Sequence, residues 1–129
     1  MRLNWQLEFS GPVHVPAIPV RDAILNLLLN ACHSSREDGV VGFRAGVEDG
    51  VFAAEVSDTG NGLPPHIREY IERKGAGAAP IDRRSGLGLW IVKRHCDELG
   101  AALQVVGSGQ DGTTLKLVIP LKEEVEDAA

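Results

Sequence analysis

A chain of 129 residues, 43% hydrophobic and 24% charged, has the size and composition of one soluble globular domain that can bury a core. Its net charge of −5 argues against nucleic acid as the main partner, because phosphate backbones are met by a basic excess. No apolar run reaches the length of a membrane-spanning helix, and the N-terminus lacks the charged and apolar regions of a secretory signal, so a cytoplasmic domain is expected.

Leu3, Trp5, Leu7 and Phe9 alternate with Asn4, Gln6, Glu8 and Ser10, which predicts a half-buried strand. Gly11-Pro12 breaks it, and Pro16 and Pro19 are expected to keep the chain extended until a helix starts near Val20 and runs to Ser35. Ala23, Ile24, Leu25, Leu27, Leu28, Leu29, Ala31 and Cys32 make that helix apolar nearly all round. Asp22, Asn26, Asn30 and His33 share the remaining narrow stripe, with Asn26 and Asn30 one turn apart. Asparagine competes for the backbone in a helix interior, and burying an unpaired amide costs about 1–3 kcal/mol. The two amides therefore need partners, either loop backbone or a ligand or metal.

Val40 to Val47 and Val51 to Ser57 read as strands around the tight turn Glu48-Asp49-Gly50. After D-T-G-N-G, His66 to Arg73 suits a short helix with Pro65 at its first position. Lys74 to Ser85 has little to bury and reads as a mobile connector. A second long helix runs from Gly86 to Leu99, with Leu89, Val92, Cys96 and Leu99 as its core stripe, Lys93, Arg94, Asp97 and Glu98 facing elsewhere, and Gly100 as its stop. Leu103 to Gly107 and Thr113 to Pro120 form a closing hairpin, and an acidic, frayed tail follows from Lys122. Cys32 and Cys96 are far apart, lack zinc spacing and are expected to be small buried thiols. The order predicts an α/β (α+β) two-layer sandwich: a mixed, mainly antiparallel sheet with helices on one face.

Three stretches could carry chemistry. Asp58 at a strand end forms either an Asx turn, common for D-x-G, or an acceptor for an exocyclic amine, with Gly60 and Gly62 letting a flat ring approach the backbone. S-G-L-G-L, Ser85 to Leu89, runs into a helix whose free amides and dipole favour phosphate. It has neither the G-K-[ST] of a P-loop nor the spacing of a dinucleotide fingerprint. Gly112-Thr113 reads alone as a plain turn. Arg68, Arg73, Lys74, Arg83 and Arg84 are a solvated face or a local excess that meets a polyanion. The four histidines are scattered, and spacing marks none as catalytic.

As an ordered set, N-L-L-L-N-A, V-S-D-T-G-N-G-L-P, S-G-L-G-L-W-I-V-K and D-G-T-T-L-K-L-V-I-P resemble the N, G1, G2 and G3 boxes of the Bergerat-fold (GHKL) ATPases, and specifically the catalytic, ATP-binding domain of two-component sensor histidine kinases. The resemblance runs from the first strand to Pro120 and implies a domain over residues 1–121, an ATP lid over about 63–85 and a disordered tail over 122–129. It implies ATP and Mg2+ as cofactors, with Asn30 as metal ligand, Asn26 beside it, and Asp58 on the adenine amine. Gly60, Gly62 and Leu63 would shape the base pocket, Ser85, Gly86, Leu87, Gly88 and Leu89 would cradle phosphates, Thr113 would lie near the adenine and His33 near the phosphates. The γ-phosphate would pass to a histidine on the dimerisation domain of the parent kinase, with a response regulator downstream and, in some parents, a membrane anchor elsewhere. Catalysis would be positioning and charge neutralisation. Hydrolytic relatives carry a glutamate base where this chain has Asn26, many sensor kinases have lysine or arginine at His33, and the phenylalanine-rich box is not recognisable between Leu63 and Ser85. A stand-alone anti-sigma-factor serine kinase and a non-catalytic nucleotide-binding module are the alternatives.

Overall fold

The computed structural model describes residues 2–80 and 87–121. The elements are β1 (Arg2–Glu8), α1 (Ala17–Ser34), β2 (Val40–Glu48), β3 (Val51–Asp58), α2 (Pro65–Glu72), α3 (Leu87–Leu99), β4 (Ala102–Gly109) and β5 (Gly112–Pro120). One five-stranded sheet has the order β1-β2-β3-β5-β4, with β1 parallel to β2 and the other pairs antiparallel. Val41, Ala45, Phe52, Ala54, Val56, Leu103, Leu115, Leu117 and Ile119 bury one face of the sheet against Ala23 and Leu27 of α1 and Leu89, Val92 and Cys96 of α3. The other face carries a cross-strand row of Arg44, Glu55 and Lys116, with Glu8 bound to Arg44 at 2.7 Å. The predicted two-layer architecture is the one observed.

Local chemistry explains most boundaries. Asp49 and Gly50 both have positive φ, 52° and 75°, as a two-residue turn matched to strand twist requires. Gly100 stops α3 at φ 63°. α1 begins at Ala17, earlier than expected, with Pro19 inside its first turn, where the missing N–H would have no intrahelical partner anyway.

Four other expectations are corrected. The first strand is not half-buried: every residue of β1 is exposed, because it is the sheet's edge and α1 does not reach over it. Phe9, counted with that strand, leaves it and packs edge-on against Phe52, ring centroids 6.0 Å apart. Cys32 is exposed on the outer side of α1, with Ile18, Leu25 and Leu29, since only one face of the helix meets the sheet; Cys96 is buried as expected. Lys93 does not face away from the core but is 4% exposed, one turn beyond Leu89 on the buried stripe. The start of the connector buries one residue, Ala76, and residues 81–85 of that expectation lie outside the described residues.

Candidate functional site

Asp58 is the last residue of β3, in register with Thr113 near the start of β5. Its Oδ1 accepts two backbone N–H groups, from Gly60 at 2.9 Å and Thr113 at 3.2 Å. The first bond is the Asx turn that D-x-G suggests; the second ties the turn to the neighbouring strand. Among the described residues Oδ2 accepts no hydrogen bond, so the carboxylate is fixed through one oxygen and open through the other. Thr113 is buried, and its hydroxyl lies 3.1 Å from that of Ser108, which accepts the N–H of Leu63 at 2.7 Å. Asp58, Gly60, Leu63 and Thr113 thus form one hydrogen-bonded assembly, with Ser108 as its link.

The end of α1 joins the same assembly. Thr59 N–H donates to Ser35 Oγ at 3.2 Å, and Thr59 Oγ1 accepts Val40 N–H at 3.1 Å. Gly60 is buried against α1, where a Cβ would collide with the Ser34 carbonyl, so glycine there is an internal packing requirement before any ligand is considered. Arg36 spans the rim, donating to Asn61 Oδ1 and the Gln110 carbonyl, both at 3.2 Å.

On α1, Asn26 donates Nδ2 to the Asp22 carbonyl at 2.8 Å, so helix backbone is the partner of its NH2 group. That bond aims Oδ1 at α3, 3.7 Å from where a Cβ on Gly88 would sit. Asn30 is half-buried and makes no side-chain hydrogen bond among the described residues. His33 is exposed. Leu87, Gly88 and Leu89 open α3; the Leu89 side chain is in the core, which leaves its backbone for any ligand. Ser85, Gly86, Arg83 and Arg84 lie outside the described residues.

Residues 65–80 are held by side chains of α3. Lys93 Nζ donates to the carbonyls of Tyr70 and Arg73, each at 2.6 Å, and stands 4.6 Å from the centre of the Tyr70 ring. A cation on the last carbonyls of α2 satisfies orphan acceptors and complements the helix dipole. Burial, and then Arg73 nearby, lower the Lys93 pKa, opposed by Asp97. Asp97 accepts Ala76 N–H at 3.0 Å, Tyr70 Oη donates to the Ala76 carbonyl at 2.8 Å, and Trp90 Nε1 donates to the Gly77 carbonyl at 3.0 Å. Sequence reasoning missed Ser108, Arg36 and Lys93 as site-building residues. Ser108 could have been found from hairpin register with Thr113 and Lys93 from its place on the apolar stripe, but Arg36 acts on residues 25 and 74 positions away.

Residues 16–123 match the family of histidine kinase-, DNA gyrase B- and HSP90-like ATPases. The chain belongs to this ATPase family. Histidine protein kinase DivJ of Caulobacter vibrioides is 30% identical over 105 residues, covering 79% of this chain and 18% of that protein. Sensor histidine kinase Hik2 of Thermosynechococcus vestitus is 30% identical over 125 residues, covering 89% of this chain and 32% of its own length. The ATPase-family domain therefore spans about a fifth to a third of these relatives. Among solved structures it resembles full-length ShkA in complex with AMPPNP (TM-score 0.73, 26% identity, 92% of this chain and 25% of that one). It also resembles the histidine kinase domain of the Erythrobacter litoralis EL346 blue-light activated kinase (TM-score 0.71, 27% identity, 93% and 54%). The fold is that of the ATP-binding domain of sensor histidine kinases, and the anti-sigma alternative is not favoured by these relatives.

Proposed function

We propose that this domain binds Mg-ATP with the adenine amine at Asp58 and passes the γ-phosphate to a histidine on a separate dimerisation domain, in two-component signalling with a response regulator downstream. The observation that supports this most directly is the half-satisfied Asp58: two backbone amides orient its Oδ1 and leave Oδ2 to accept from a ligand. Thr113 and Ser108 hold the wall beside it. Among the described residues α3 opens at Leu87 and Gly88, and the amides of a helix's first turn suit phosphate oxygens.

The residues present fit magnesium. Asn30 offers a neutral amide oxygen, half-buried and without a hydrogen bond among the described residues, on the stripe shared with Asn26. Bound there, the ion supplies neutralisation of phosphate charge. Asn26 cannot take a proton from water, and its bond to Asp22 fixes it as an orienting group, which favours transfer to a protein acceptor over hydrolysis. No histidine of this chain stands in an H-E/D-x-x-x-P context, so the acceptor is a separate domain and the γ-phosphate moves only when one is supplied.

Calorimetric titration with ATP tests the base contact. Asp58→Asn keeps an oxygen for Gly60 and Thr113 but weakens ATP at least about tenfold; unchanged affinity refutes the assignment. Asn30→Ala abolishes the magnesium dependence of that titration. With labelled ATP and a histidine-bearing dimerisation bundle, acid-labile label appears on the bundle; binding without transfer leaves the non-catalytic module as the reading.

A further inference from the structure

β1 ends the sheet, and its apolar residues are bare: Leu3 is 59%, Trp5 67% and Leu7 48% exposed. Register with Val41, Phe43 and Ala45 places them on the helix-bearing face, beyond the reach of α1. Arg2 N–H donates to the Gly39 carbonyl at 2.9 Å, which sets the alternation of the parallel ladder. Arg2, Asn4, Gln6 and Glu8 turn their backbone groups to β2, and Leu3, Trp5 and Leu7 turn theirs outward. Such an edge is a template for another strand, and this one carries no proline or bulge to block it.

The strand is also its own complement. R-L-N-W-Q-L-E laid antiparallel on itself about Trp5 sets Leu3 against Leu7, Asn4 against Gln6 and Arg2 against Glu8. The neighbouring registers that keep outward residues opposed set Arg2 against Gln6, or Asn4 against Glu8, and leave the charges unmatched. We propose that β1 pairs with the β1 of a second copy of this chain in the Trp5-centred register, joining two sheets into one across a twofold axis. Each outward residue then sits in a pair that exchanges both backbone hydrogen bonds. Leu3, Trp5 and Leu7 of the two protomers form one apolar ladder between the two α1 helices. Glu8 keeps its Oε1 bond to Arg44 and has Oε2 for Arg2 of the partner. The interface is isologous and therefore closes at two. A strand pair alone falls at the small end of specific interfaces, so the dimer is reversible.

Sedimentation of the 129-residue chain between about 5 and about 500 µM tests this. The mass rises from 13.8 kDa toward twice that value. Trp5→Lys, at an exposed site, leaves far-ultraviolet dichroism unchanged and raises the dissociation constant at least about tenfold; Arg2→Glu, which opposes two carboxylates, raises it several-fold. In a Cys32→Ser background, Trp5→Cys forms an intermolecular disulfide, since hydrogen-bonded partners stand about 5.5 Å apart at Cα. Asn4→Cys, opposite Gln6, does not. A monomer across the range overturns the proposal, and so does a dimer that neither Trp5→Lys nor Arg2→Glu weakens. Cross-linking of Asn4→Cys as fast as Trp5→Cys overturns the register.

Discussion

The D-T-G-N-G loop at the end of β3 and the segment over residues 65–80 are built in opposite ways. The loop is held by main-chain amides and short side chains: Asp58 on Gly60 and Thr113, Thr59 between Ser35 and Val40, and Ser108 under Leu63. The segment is held by three side chains of one helix, Lys93, Asp97 and Trp90. One region is therefore part of the sheet, and the other is tied to α3 by side chains that reach across to it while α2 packs on β4 through Ile71.

Removing the lysine breaks the comparison most severely. Lys93→Met keeps the buried stem but deletes two charge-assisted bonds and leaves the carbonyls of Tyr70 and Arg73 unpaired. A loss of about 2–4 kcal/mol is expected in denaturant unfolding; a loss below about 0.5 kcal/mol means that Lys93 does not hold the segment. Asp97→Ala sharpens the contrast at lower cost. It removes the acceptor of Ala76 N–H, for about 1 kcal/mol. Hydrogen exchange should then quicken across residues 74–80 while the amides of Gly60 and Thr113 keep their protection. Equal acceleration in both regions would show that they are one unit.

The smallest effect is a pH dependence on the α3 side. Burial pushes the Cys96 thiol from its ordinary 9.0 up to about 11, so the folded chain keeps a proton that the unfolded chain loses first. That contribution is fully present below pH 9 and is lost as pH rises to about 11. Burial raises the Tyr70 hydroxyl too and adds in the same direction. Lys93 acts oppositely: burial lowers its pKa, so the unfolded chain binds the extra proton and this contribution to stability grows as pH approaches 10.5. Cys96→Val should flatten the alkaline decline in denaturation midpoint and Lys93→Met should steepen it. A decline that both variants leave unaltered places its cause elsewhere.

What the sequence makes legible follows from how local the determinant is. Leu115, Leu117 and Ile119 alternate in sequence and are buried together. Asp49-Gly50 declares its turn, and D-x-G declares the bond from Gly60 to Asp58, because each is settled within a few residues. The alternation of Leu3, Trp5 and Leu7 identifies a face correctly but cannot say that α1 stops short of it. A lysine on an apolar stripe looks like an intruder until the carbonyls of Tyr70 and Arg73, more than 19 residues earlier, arrive over it. The glycines and alanines of the connector say nothing of Asp97 and Trp90, which hold it down. For the site itself the stripe of Asn26 and Asn30 was visible, and the division of Asp58 into a fixed and an open oxygen was not.

The Asp49-Gly50 turn gives an experimenter a handle. It caps the far end of β3, whose eight residues put roughly 23 Å between Val51 and Asp58. A fluorophore, an affinity peptide or an inserted reporter domain attached there would sit on an exposed hairpin tip, at the opposite end of β3 from the Asp58 assembly. Nucleotide occupancy could then be followed, or the domain tethered to a surface, without touching the residues that form the site.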